Sequence, residues 1–360
     1  MPRLFAAIAI SLMLSGHSLA IEDKAERLRG ALLTAEMASP IRLKELRDQG
    51  YNAVVLSLDG DSAEARQTDR LAAQRIAEAG FDLWYWIEIA RNRQLADDHP
   101  QWMASLQGHQ EWRRFFKDFP QPNPREVVKN YPWVPILYRE TFDAQLARVK
   151  ELIAARPAAK GVLLNDLQGP PSACGCGNPV CRWTADYGPL KTATPLGDDA
   201  AARFVAAVKK TCGSSVQVIP VWTTECEAHD VDNDALCAGV GCFKGICWKA
   251  YCRQLQSLAE QSPTIGALLL YKEFGQDTKN YPHRAGWISH ALRGFQTMPP
   301  QHNSKPIAAS RLLPVLQGWD VSSDEIATQQ KQAETVGPAG WIVAFARIDQ
   351  SWSPRMITAR

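Results

Sequence analysis

"NAVVLSLDGDSAEARQTDRLAAQRIAEAGFDLWYWIEIA", residues 52–90, decides the fold. It opens with a short apolar run, NAVVLSLD (52–59). SAEARQTDRLAAQRIAEAG follows with helical spacing and a glycine stop at Gly80. A second apolar run, FDLWYWIEIA (81–90), closes the stretch. Short run, long amphipathic stretch, short run: this is a strand–helix–strand unit. Both strands are apolar almost throughout, as parallel strands covered on both faces are.

The same unit recurs on either side. Upstream, GALLTAE (30–36) is a strand, and SPIRLKELRDQG is a helix that starts at Ser39-Pro40 and stops at Gly50. Downstream, the helix FDAQLARVKELIAAR precedes the strand KGVLLND (160–166). The helix GDDAAARFVAAVKKTCG, with Asp198 near its cap, precedes VQVIPVWTTE (216–225). KAYCRQLQSLAEQ leads to IGALLLYKE (265–273), GWISHALRGFQ leads to a strand within IAASRLLPVLQGWD (307–320), and SSDEIATQQKQAETVG leads to AGWIVAFARID (339–349). Eight alternations predict an α/β fold, a single (β/α)8 TIM barrel. The competing doubly wound sheet wants a glycine-rich first turn, and TAEMASPIR is not one.

The chain has 360 residues, 46% of them hydrophobic and 22% charged, within the range of an ordinary globular protein. Its formal charge of +2, with acids and bases interspersed, gives no basic face for nucleic acid. Arg3, the apolar LFAAIAISLML and Ser18-Leu19-Ala20 read as a cleaved signal peptide over residues 1–20. A membrane anchor would need roughly 20 apolar residues. The expectation is an exported chain, periplasmic or secreted, with a barrel over 21–360 and no membrane contact after cleavage.

Export makes disulfides the default for cysteines. Cys174, Cys176 and Cys181 follow the fourth strand, and Cys226, Cys237 and Cys242 follow the fifth. Cys247 and Cys252 open the next helix. These eight fall on one face, in two Cys-rich loops within and just beyond 167–247, and are expected to staple the βα-loops there. Their pairing is open. Cys212 falls on the opposite face and is the expected free thiol. A Cys-ligated metal or redox site is the competing reading, but the spacing lacks the paired Cys-x2-Cys of structural zinc. No metal and no cofactor is expected.

In this fold, functional groups sit where strands end and βα-loops begin. The strand ends carry Glu36, Asp59, Glu88, Asp166, Glu225, Glu273, Asp320 and Asp349, a ring of carboxylates around one mouth. Carboxylates beside aromatic rings suit glycosidic cleavage, in which one acid protonates the leaving oxygen and a second carboxylate attacks or activates water. Asp166, Glu225 and Glu273 are the catalytic candidates. Asn165, Glu36, Glu88, Trp86, Trp222, Tyr271, Lys272, Trp319 and Asp320 are the substrate-binding candidates, with core filling the alternative role for each ring. Segment 91–141 is either a lid whose Trp102, His109, Trp112, Trp133 and Tyr138 close over a substrate, or a self-packed subdomain.

With HPQWMAS, YPWVPI, NDLQGPPSACGCGNPVCRW, VIPVWTTECE and GWIVAFARID, the chain resembles a family of exported, glycoside-hydrolase-like TIM-barrel proteins of environmental bacteria. The resemblance implies a carbohydrate partner, a glycoside or polysaccharide, and an acid after strand four, which is Asp166 here. A carbohydrate-binding barrel without catalysis is the alternative.

Overall fold

The computed structural model describes residues 27–58, 60, 62–106, 112–113, 116–136, 138–167, 200–223, 257–270, 287–296, 305–348 and 352–358. The expected signal peptide and all eight cysteines of the two loops lie outside these residues, as do Asp59, Asp198, His109, Asp349, Glu225, Tyr271, Lys272 and Glu273.

Eight parallel strands close into a barrel. In order around it they are β1 (Leu28–Leu33), β2 (Ala53–Ser57), β3 (Asp82–Glu88), β5 (Gly161–Asn165), β6 (Gln217–Thr223), β7 (Ile265–Leu269), β8 (Leu312–Gln317) and β9 (Gly340–Ala344). β9 pairs back onto β1, so the sheet has a seam where Leu28 faces Gly340. Helices α1 (Pro40–Asp48), α2 (Ala63–Glu78), α4 (Arg139–Ala154), α5 (Ala200–Cys212), α6 (Trp287–Gln296) and α7 (Ser323–Glu334) connect successive strands. Residues 257–261 are helical ahead of β7.

The helix limits follow from capping. Ser39 accepts from the Arg42 amide with Pro40 in the first turn, and Ser62 accepts from Ala65 N–H. Ser322 and Glu325 form a reciprocal capping box. Gly50 and Gly80, expected as stops, take φ of 84° and 76° just beyond α1 and α2. One boundary moves: α4 starts at Arg139, ahead of the expected Phe142, so the insertion proper ends before 141.

Strand alternation sorts the core into two parts. Leu32, Val55, Trp84, Trp86, Leu163, Val221, Leu268, Val315 and Ile342 fill the lumen. Leu33, Val54, Tyr85, Leu164, Trp222, Leu269 and Val343 pack outward under the helices. Each fully buried aliphatic or aromatic side chain of this kind contributes about 1.5–3 kcal/mol. Two glycines permit the closest approaches. A Cβ at Gly161 would meet Trp84 Cε3 at 2.5 Å and the Gln217 carbonyl oxygen at 2.7 Å. A Cβ at Gly340 would run into the Leu28 backbone, with its nitrogen at 2.8 Å.

Segment 91–136 is not a bare loop. It contains α3 (Arg93–Asp98), a 3-10 turn at Pro100–Trp102, and β4 (Glu126–Tyr131). β4 pairs antiparallel with β10 (Ser353–Thr358), from Tyr131 opposite Ser353 to Glu126 opposite Thr358. Trp112 and Trp133 are buried in small clusters of this unit, the first with Leu106 and Val128, the second with Ala90 and Ala104.

Candidate functional site

The alternation that fills the lumen also aims the last residue of each strand. On β3, Trp84, Trp86 and Glu88 share the inward face; on β5, Gly161, Leu163 and Asn165 do. Glu88 and Asn165 stand opposite each other in the β3–β5 ladder. Glu88 Oε1 accepts from the Trp86 indole at 2.7 Å, and Oε2 accepts from Asn165 Nδ2 at 2.9 Å. Arg148 of α4 donates to the Glu88 carbonyl at 2.9 Å. The carboxylate thereby ties the indole below it and the amide beside it into one network.

Asp166 follows Asn165, and both are fully buried. Its φ is 56°, in the left-handed region. Asp tolerates that region better than most residues do, yet non-glycine residues held there cluster at functional sites. The other non-glycine residue with positive φ among the described residues is Asp320, at 54°. Both are aspartates just past barrel strands, on the same mouth. Two backbone bonds hold this turn: Ile89 N–H, continuing the β3–β5 ladder, donates to the Asn165 carbonyl at 3.0 Å, and Ala90 N–H, beyond the ladder, donates to the Asp166 carbonyl at 3.2 Å.

The other expected site residues divide. Trp86 and Trp319 are buried in the lumen cluster. Trp222, expected near a ligand, packs outward under the helices instead. It follows Val221, which faces the lumen, and strand side chains alternate. Glu36 and Asp320 are exposed on the loops beyond β1 and β8. A hydrogen bond from the Thr34 side chain, with one from the Glu36 backbone, holds the Glu36 carboxyl below its usual range. Asp320 pairs with Arg347 at 3.5 Å. Cys212, the last residue of α5, is a half-buried free thiol whose pKa is raised by burial. Among the described residues no group of three or more His, Cys, Asp or Glu could hold a metal ion.

Gln317 was not among the expected site residues. It ends β8, buried, and its side chain donates to the Trp319 carbonyl at 3.1 Å. Gln329 of α7 brackets its backbone, accepting from the Gln317 amide and donating to its carbonyl. The signal was present: counting by twos from Leu313 and Val315 reaches Gln317 at the mouth.

No protein-family model matches the chain, and no curated protein matches it in sequence. Solved structures of similar shape include an endoglucanase from Pseudomonas stutzeri, at 12% identity over 89% of this chain and 85% of that one, with a TM-score of 0.44. An endocellulase from Pyrococcus horikoshii, solved with cellotetraose, matches at 10% identity over 88% and 84%, with a TM-score of 0.46. An HpcH/HpaI aldolase from Desulfitobacterium hafniense matches at 9% identity over 88% and 86%, with a TM-score of 0.35. The closed strand order itself defines the class, a (β/α)8 barrel with a buried aspartate at the C-terminal mouth.

Proposed function

We propose that this chain is an exported glycoside hydrolase that cleaves a glycoside or polysaccharide by paired-carboxylate chemistry. Asp166 acts as nucleophile or base, and Glu225 or Glu273 supplies the acid. The observation that carries the reading is the Asp166 turn: a buried carboxylate in a left-handed backbone, at the end of the fourth barrel strand, beside an amide clamped by Glu88. Barrel enzymes place their reacting groups at this end of the strands. A carboxylate fixed before substrate arrives needs little rearrangement to meet the anomeric carbon or a water. Asn165, held by Glu88, presents its remaining amide oxygen to sugar hydroxyls.

The test is turnover of a chromogenic glycoside panel by the wild-type chain and by Asp166→Asn. A loss of about a hundredfold or more, with the fold intact, supports the reading. Unchanged turnover removes Asp166 from the mechanism. The second reading is a barrel that binds carbohydrate without cleaving it, its acids hydrogen-bonding sugar hydroxyls. Oligosaccharide binding without turnover on any panel member would select that reading.

A further inference from the structure

We infer that β10, through Trp352, is the clasp that holds the Asp166 turn in place, and that Trp352 is a positioning residue for the site. A run of strand pairing and backbone hydrogen bonds connects the two. β10 pairs with β4, where Pro354 stands opposite Asn130. Asn130 N–H donates to the Ala104 carbonyl at 2.8 Å, and Ala104 N–H donates to the Trp133 carbonyl at 2.8 Å. Val134 N–H donates to the Ala90 carbonyl at 2.7 Å, and Ala90 N–H donates to the Asp166 carbonyl. Side chains follow the same route. Trp352 packs on Ala90, Ala104 and Trp133, the residues that carry those bonds. It also packs on Leu106, Trp112 and Val128, and meets Phe116 edge-on at 4.9 Å between ring centroids.

The consequence is a division of labour. The barrel ladder holds Asn165, whereas the Asp166 carbonyl bonds to Ala90, which is pinned from the other side by the insertion that Trp352 covers. Arg355 strengthens the same strand, bonding Asp97 of α3 at 2.6 Å and lying over the Tyr131 ring at 3.6 Å. The barrel seam between β1 and β9 makes no use of this unit. Loosening the clasp therefore frees the Ala90 side of the Asp166 turn and leaves the barrel closed.

The kinetic part of this inference rests on the catalytic reading of Asp166; the structural part does not. The experiment compares amide hydrogen exchange in the wild-type chain, Trp352→Ala and Trp352→Phe. In Trp352→Ala, the Ala90 amide should exchange about tenfold faster or more, with the Ile342–Val343 amides of the seam unchanged. Trp352→Phe should restore most of the protection. Unchanged exchange at Ala90, or equal acceleration at the seam, overturns the inference. Where a chromogenic glycoside is turned over, Trp352→Ala should lower kcat more than it changes KM. A fall through KM alone overturns the positioning role even if the exchange result holds. A chain with no turnover at all sinks the hydrolase reading and leaves the exchange result standing.

Discussion

The Asn165 amide donates to the Glu88 carboxylate across the β3–β5 ladder at 2.9 Å, between residues 77 positions apart in sequence. The same carboxylate accepts from Trp86, so one acid satisfies two buried donors. Glu88→Leu strands both, at about 1–3 kcal/mol each. Glu88→Gln keeps one acceptor and turns the other position into a donor facing a donor. Both variants should unfold at lower urea than wild type, Leu the lower of the two. A Gln variant as stable as wild type would mean that the network contributes little.

Asp166 is the position where backbone and chemistry separate. Asn shares the tolerance of Asp for left-handed φ, so Asp166→Asn should keep the melting temperature within a few degrees while removing the carboxylate. Asp166→Ala removes the carboxylate and also places a residue without that tolerance at φ 56°, adding a cost of about 1 kcal/mol or more. Thermal melts of the pair measure the backbone contribution directly.

Gly161 and Trp84 fit only as they are. Gly161→Ala sets a methyl group against the Trp84 ring and the Gln217 carbonyl, and should destabilise the barrel by about 1–3 kcal/mol. Combining it with Trp84→Leu should recover part of the loss, because the ring gives way and the carbonyl does not. Strict additivity of the two changes in a denaturation series would contradict the contact.

Tyr51 gives the pH dependence. Burial pushes its hydroxyl up to about 12, and burial raises the Tyr85 hydroxyl as well. In the unfolded chain a tyrosine ionises at about 10. Between those values the unfolded state sheds the proton and the folded state keeps it. The stabilisation is therefore complete below about pH 10 and declines as pH rises toward 12. Tyr51 packs edge-on against Trp341 at 5.3 Å. Tyr51→Phe keeps that ring and should flatten the alkaline loss of stability, read from urea midpoints on either side of about pH 10.

Most of the barrel is legible from periodicity, because parallel strands buried on both faces read as short apolar runs between capped helices. AVVLS, GVLLN and GWIVA each fall where their runs do. The β4–β10 sheet does not read that way. β4 is EVVKNY, whose Lys129 and Asn130 look solvent-facing yet are buried, and β10 carries a proline, which suits an isolated two-stranded sheet. Its pairing is long-range, and no local pattern announces it. At the site, charge drew attention to Asp166, while counting by twos puts Asn165 on the inward face. The left-handed turn that takes Asp166 out of the count is a property of the folded backbone, and only the general tolerance of Asp for such turns hints at it.

Gly340 bears on how the protein comes to be made. The cylinder shuts only when β9 docks on β1, a union of segments from opposite ends of the barrel sequence, and such distant pairings form slowly. Until then both outer strands of the nascent sheet present unpaired backbone, an invitation to self-association. A side chain at 340 would hold the last strand off the Leu28 backbone and prolong that exposed interval, so its first symptom would be aggregates during production.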